Sequence, residues 1–297
     1  MKKSQKNNDL LSIIQQKYDD FSKGQKLIAN YITNHYDKAA YVTAAKLGEI
    51  VGVSESTVVR FAIELGFDGY PKLQSVLQEL IKSKLTAVQR IEVSSNRINE
   101  DNILKSVLQS DMDKIKITLE QIDPTKFNEI VETILSAKRI FILGVRSSAP
   151  LASFLGFYFN LIFDNVRLVH TTSVSEMFEQ IIKAQPGDVV IGISYPRYSK
   201  RTINALQFAK NQGVKTIAIT DSAESPVAQA ANQYLLARSD MASFVDSLVA
   251  PLSLLNALIV AIGMRRKNDV YNTFEKLEKI WDEYQVYEKD DYRDEKL

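Results

Sequence analysis

Cysteine is absent from this 297-residue chain. Its absence excludes a disulfide framework, a thiolate zinc site and a cysteine nucleophile, and it suits a reducing cytoplasm. Histidine is scarce too: only His35 and His170 occur, and they are not paired at ligand spacing, so no metal is expected. Walker and dinucleotide glycine fingerprints are missing, so no cofactor is expected either. Excess charge of one sign is lacking, with 37 basic against 36 acidic residues and a net charge of +1. That balance excludes a protein that coats nucleic acid through bulk charge, although a local basic patch can hide in a balanced total. Uninterrupted apolar runs are also lacking. The longest, 248–264, contains Pro251, Asn256 and Gly263, and it reads as a buried helix rather than a membrane span. The opening MKKSQKNNDLLSIIQQKYDD turns polar before a signal-peptide core could form.

The residues that are present describe a globular protein. Hydrophobic residues make up 45% and charged residues 25%, an ordinary composition at a length that favours two domains. Up to about residue 122 apolar positions recur at helical spacing, as in Leu27, Ile28, Tyr31, Ile32 and His35. From Ile140 the grammar changes to β-branched runs, RIFILG, VRLVH, DVVIGIS and KTIAIT, separated by helix-length segments such as SKRTINALQFAKNQG. That alternation predicts a parallel sheet with helices on both faces. The expected fold class is an all-α helix-turn-helix domain followed by a doubly wound α/β domain. The expected boundaries are 1–80 for the first domain, 81–122 for a helical connector, 123–284 for the second domain and 285–297 for a charged tail.

Within the first domain, TAAKLGEIVGVS predicts a short helix with Thr43 as N-cap, Leu47 and Ile50 buried, and Gly52 at its end. A second helix follows in SESTVVRFAIELGFDGY. Ser54 can cap it through the N–H of Thr57, Val58, Phe61, Ala62 and Leu65 form its apolar stripe, and Gly66 ends it. Two short helices on a tight Gly-Val turn make a helix-turn-helix, whose second helix enters the major groove by its N-terminal end. Ser54, Ser56 and Thr57 then face phosphates and base edges, and Arg60 stands where a guanidinium could fork onto guanine. Glu55 favours the helix dipole and could also accept from a cytosine amine. Lys72 faces either a phosphate or solvent. The bland alternative is that Ser-x-Ser-Thr is only a cap and Arg60 only a surface charge.

The run GVSESTVVRFAIELGFDGYPKLQSVL resembles the end of the DNA-binding domain of the RpiR family of bacterial transcription regulators. Members carry a Ser-x-x-Thr-Val-x-Arg-Phe helix followed by Leu-Gly-Phe and Gly-Tyr/Phe. Gly48 departs from the alanine usual in the preceding helix, a change of one small residue for another. The resemblance implies that Phe67 and Tyr70 pack the turn onto the next helix, and that the partner is a double-stranded DNA operator.

In the second half, RIFILGVRSSAPLASFLGFYF reads as strand, glycine turn and a helix opening on hydroxyls, which offers N–H donors and a positive dipole end to an anion. ISYPRYSKRT and KTIAITDSAESP repeat that arrangement, so Ser147, Ser148, Ser194, Ser199 and Thr220 are candidates at the carboxyl edge of the sheet. The RpiR family couples its DNA-binding domain to a sugar isomerase-like (SIS) domain, and this half is similar to one. The resemblance implies a phosphosugar-like effector held at Ser147, Ser148, Ser194 and Ser199. Pro196 and Arg197 stand where the family's Ser-x-Ser-Gly-x-Thr loop has Ser-Gly. Arg197 could clamp an anion or fill the pocket, and Arg146 is either a second anion contact or a surface charge.

The expectation is a cytoplasmic regulator rather than an enzyme, acting as a homo-dimer or homo-tetramer without a membrane. His170 at a strand end, with Glu176 and Glu179 following, keeps a sugar-phosphate isomerase as the rival. A protein-binding regulator without a small-molecule ligand is a second rival.

Overall fold

The computed structural model describes residues 10–84, 88, 91, 102–171, 173–240 and 245–288. The first part is helical: α1 (Leu10–Gln16), α2 (Lys23–Asn34), α3 (Tyr36–Ala39), α4 (Ala44–Val51), α5 (Glu55–Glu64) and α6 (Tyr70–Lys84). A reciprocal capping box at Ser22 and Gln25 starts α2, satisfying two backbone donors that would otherwise lack partners. Ile28, Ile32, Leu47, Val58, Phe61 and Leu73 are wholly buried in one cluster, where Phe21 meets Phe61 edge to face at 5.1 Å.

Ile50, expected to be buried, is 43% exposed. The inward face of α4 is Ala44, Leu47 and Gly48 with Val51 partly buried, a row at spacings of three and four that leaves Ile50 to one side. Tyr70 is buried and donates its hydroxyl to the carbonyls of Ala39 at 3.1 Å and Val42 at 2.9 Å, tying α6 to the approach of α4.

The second part begins with α7 (Ile103–Gln121) and α8 (Pro124–Leu135), and its sheet comprises β1 (Ile140–Gly144), β2 (Val166–Val169), β3 (Val189–Ile193), β4 (Lys215–Thr220) and β5 (Gln233–Leu236). All pairings are parallel, in the order β2-β1-β3-β4-β5. Along β1, Ile140 and Ile142 face one core while Phe141 and Leu143 face the other, the two-residue alternation of a strand. The first core takes in α8, α9 (Ala149–Ile162) and α13 (Val249–Arg265). The second takes in α10 (Val174–Ile181), α11 (Lys200–Asn211) and α12 (Pro226–Ala230). Helices therefore cover both faces, and the strand ends that carry the hydroxyl-rich loops lie along one edge.

The expected connector is only partly described. Its later portion, α7, packs on α13 and is bonded into the α/β part: Thr118 accepts from the N–H of Arg238 at 3.0 Å, and Asp111 accepts from the Ser247 hydroxyl at 2.6 Å. A last helix, α14 (Lys267–Glu283), leads to the expected charged tail, of which 289–297 lie outside the described residues. No single helix among the described residues is long and apolar enough to cross a membrane.

Candidate functional site

The first candidate surface is the start of α5. Gly52 ends α4 in the left-handed region at φ 74°, and two residues later Ser54 caps α5, accepting from the N–H of Thr57 at 3.3 Å. The Ser54 hydroxyl also lies 2.9 Å from that of Ser56 and 2.8 Å from that of Thr57. Ser54, Glu55, Ser56 and Arg60 are exposed and Thr57 is half-buried, so one face at the helix start presents hydroxyls, one carboxylate and one guanidinium. Thr43 occupies the matching place at the start of α4, where its hydroxyl accepts from the N–H of Lys46 at 3.2 Å. Lys72 is exposed in the first turn of α6.

The closeness of α4 and α5 has a specific cause in Gly48. A Cβ there would stand 2.6 Å from the Val53 carbonyl oxygen and 3.3 Å from the Glu55 nitrogen. In this chain a methyl at position 48 therefore requires the Val53 carbonyl and the start of α5 to shift.

The second candidate site is a cavity of about 900 Å³ at the carboxyl ends of β1 and β3. Ser147, Ser148, Ser194, Arg197 and Ser199 all line it, whereas Thr220 does not. Thr220 is fully buried and donates to Asp221 at 3.3 Å. The helix start beyond it is capped by its own Ser225, which accepts from the N–H of Ala228 at 3.1 Å. The third hydroxyl loop thus satisfies itself.

The β1 side of the cavity is a tight turn. A Cβ on Gly144 would meet the Ser148 carbonyl oxygen at 2.6 Å, so glycine lets the short 3-10 turn Arg146–Ser148 fold back over the strand end. Ser148 is buried but lines the cavity, and its hydroxyl has no hydrogen-bond partner among the described residues. On the β3 side the Ser194 hydroxyl accepts from the N–H of Ser199 at 3.0 Å, while the Ser199 side chain makes no cap bond to α11. On the β3 wall the first N–H groups of α11 lack helical acceptors, the arrangement that receives an anion. On the β1 wall the N–H groups of Ser148 and Ala149 are bonded to the carbonyls of Val145 and Arg146 and Pro150 has none, so that wall offers its hydroxyls.

The lining also holds Lys200, Arg201, Tyr195, Tyr198 and Asp246, which the sequence alone does not single out, together with Arg146. Lys200 and Arg201 were legible only as the surface of a helix, and their position on the cavity became evident once α11 was placed. Below the rim, Tyr198 donates to Asp221 at 2.9 Å. Tyr195 is buried, and burial, then the nearby Asp221 carboxylate, pushes its phenol well above the ordinary tyrosine range. Neither histidine lines the cavity. His35 lies in the helical part beside the Tyr31 ring, with centroids 5.2 Å apart. His170 is exposed beyond β2, and the Thr171 hydroxyl donates to Glu176. Among the described residues no group of acidic and histidine side chains could hold a metal ion.

Comparison with known proteins agrees with both parts. The rpiR-family helix-turn-helix domain matches residues 8–84, and the SIS domain matches residues 133–261. The chain is 24% identical over 280 residues to an uncharacterized HTH-type transcriptional regulator of Caldanaerobacter subterraneus subsp. tengcongensis, covering 92% of this chain and 96% of that protein. It is 26% identical over 240 residues to an uncharacterized HTH-type transcriptional regulator of Haemophilus influenzae, covering 78% of this chain and 80% of that one. Among solved structures it is similar to the sugar isomerase domain of the RpiR transcription factor from Sphaerobacter thermophilus, with a TM-score of 0.56 and 27% identity over 59% of this chain and 97% of that one. It shares the fold of the Vibrio vulnificus NanR protein, solved in complex with ManNAc-6P, at a TM-score of 0.55 and 21% identity over 91% of this chain and 98% of that one.

Proposed function

This chain belongs to the RpiR family, with its helix-turn-helix domain followed by a SIS domain, and from that premise we propose that it is a transcription regulator that binds duplex DNA and responds to a phosphorylated carbohydrate. The observation that carries the proposal is the pairing of an exposed, hydroxyl-rich α5 start with a cavity lined by hydroxyls and cations in the same chain. Ser54, Ser56 and Thr57 bond to one another in the free protein and exchange those bonds for phosphate oxygens on the operator. Arg60, exposed one turn further, supplies the bidentate base contact. Thr43 and Lys72 supply backbone contacts on either side. Glu55 sits at the positive end of the α5 dipole and offers an acceptor to an exposed base amine.

In the cavity, Ser147, Ser148, Ser194 and Ser199 hold the phosphorylated ligand, and Arg197 neutralises it. Thr220 supports that edge through Asp221 rather than touching ligand. The reading is of a site that binds without turnover: neither histidine lines it, nor do Glu176 or Glu179, and its one carboxylate is Asp246. Ligand occupancy reaches the connector through the cavity wall at Val245, Asp246 and Leu248, because Ser247 between them is bonded to Asp111 of α7. The working form is a homo-dimer or homo-tetramer in the cytoplasm. Supporting this, α7 exposes Leu104, Leu108, Met112 and Leu119 on one side, spacings that suit packing against another helix.

The test is titration of a selected genomic operator with the parent and Arg60→Ala, with and without phosphosugars. Arg60→Ala is expected to cost about 1–3 kcal/mol and to relax base preference, while Lys72→Ala weakens all sequences alike. Unchanged affinity and selectivity in Arg60→Ala would falsify the assignment of the α5 face.

A further inference from the structure

The charge of the cavity exceeds what one phosphate can balance. Arg146, Arg197, Lys200 and Arg201 line it against a single acid, Asp246. Arg146, Arg197 and Lys200 have no ion-pair or hydrogen-bond partner for their side chains among the described residues. These cations belong to separate walls. Arg146 opens the turn before α9, beside the unpartnered Ser148 hydroxyl, whereas Arg197 and Lys200 flank the start of α11. Arg146 holds its place at φ 56°, a left-handed backbone that is unfavourable for a non-glycine residue. A cation is thus kept at a position where glycine would be cheaper.

A sugar monophosphate carries about −1.5 to −2 charges near neutral pH and can occupy one helix start. It leaves Arg197 and Lys200 at the start of α11 without an anionic partner among the described residues, and like charges held close together repel. Val245, Leu248 and Pro150 add apolar lining, which suits a ligand with uncharged atoms between its acidic groups. We propose that the effector is a carbohydrate with two separated acidic groups, a phosphate at the Ser147–Ser148 wall and a carboxylate or second phosphate at the Arg197–Lys200 wall. This rests on the phosphosugar reading above and narrows it. Arg197 is then the residue that selects the second acid, rather than a plug for the pocket, and its guanidinium matches a carboxylate bidentately.

The experiment is calorimetric titration of the full chain at 0.15 M salt with glucose 6-phosphate, 6-phosphogluconate, fructose 6-phosphate and fructose 1,6-bisphosphate. These probes form two pairs, each differing by one acidic group. The diacidic member of each pair is expected to bind at least tenfold more tightly. Arg197→Gln should bring its affinity down to that of the monoacid, and Ser148→Ala should weaken all four probes. Two results overturn the proposal while leaving the phosphosugar reading in place: equal affinities within each pair, or a tenfold preference that survives in Arg197→Gln. If none of the four binds to either the parent or Arg197→Gln, the phosphosugar reading falls as well.

Discussion

Replacing Asp111 by alanine should destabilise the α/β domain more than any exposed substitution on the same helix. The carboxylate accepts from the Ser247 hydroxyl at 2.6 Å and from the Lys114 ammonium at 3.3 Å. The Lys114 side chain is only 5% exposed and that of Asp111 16%, and after truncation the ammonium keeps one neutral partner, the Ser110 hydroxyl at 2.8 Å. Breaking a buried pair by removing one member costs about 3–5 kcal/mol, chiefly because the other charge stays buried. Partial exposure of Asp111 places this case near the lower end, about 3 kcal/mol, and the Ser247 bond is worth about 1 kcal/mol more. For a unit of this size the loss lowers Tm by roughly 6–16 °C.

Scanning calorimetry of the full chain measures it, and a double-mutant cycle identifies the cause. Lys114→Met in the Asp111→Ala background removes the stranded charge and should recover at least about 2 kcal/mol. Asp111→Asn, which keeps an acceptor for Ser247, should fall between parent and alanine. A Tm for Asp111→Ala within 2 °C of the parent, about the effect of 1 kcal/mol or less, refutes the reasoning. So does the absence of recovery in the double variant, since the cost would then not come from the buried ammonium. The same variant bears on regulation: with the Asp111–Ser247 bond gone, operator affinity should respond less to ligand, provided the domain stays folded at the assay temperature.

The remaining predictions concern the helical domain. Gly48→Ala gains about 1 kcal/mol of helix propensity but forces a methyl against the Val53 carbonyl at 2.6 Å, so a net loss of about 1–2 kcal/mol in urea unfolding is expected, with weaker operator binding; equal or greater stability would show that the turn relaxes freely. Tyr70 has its pKa raised to about 12 by burial first and Tyr31 second. Its contribution is therefore complete below pH 10 and is lost as pH rises towards 12, a span on the order of 3 kcal/mol. Tyr70→Phe should cost about 1–2 kcal/mol at neutral pH through its two lost carbonyl contacts, and the gap to the parent should narrow above pH 10; a constant gap through pH 11 counts against the assignment.

Local signals made the helix-turn-helix legible. Thr43 and Ser54 are caps because a short hydroxyl before an apolar row has few better uses, and Gly52 ends α4 because its backbone is left-handed there. Ile50 was misplaced since an eight-residue helix has too few turns to define its stripe. Leu47 can be continued at three or at four, and packing chose the row through Gly48 and Val51. Strands β1 to β4 were legible as β-branched runs. The edge strand β5 was not: Gln233–Leu236 is short, opens on a polar residue and is only partly buried, so periodicity had little to register.

The cavity shows where sequence reasoning stops for a physical reason. Ser148 and Ser194 were candidates because glycine turns and hydroxyls recur at the strand ends, although a single serine at a helix start is more often only a cap. The same pattern at Thr220 was equally visible, yet its loop spends its hydroxyls internally, with Ser225 capping a five-residue helix and Thr220 bonded to Asp221. Which loops line the cavity follows from strand order, and β4 stands one place further from β1 than β3 does. The walls that converge are those of the adjacent strands β1 and β3. Their cations, Arg146 from one and Arg197, Lys200 and Arg201 from the other, are about fifty residues apart in sequence and unremarkable singly. Only the pairing of β1 with β3 turns them into one electrostatic feature, and that pairing is why a chain with a net charge of +1 can hold a strongly cationic site.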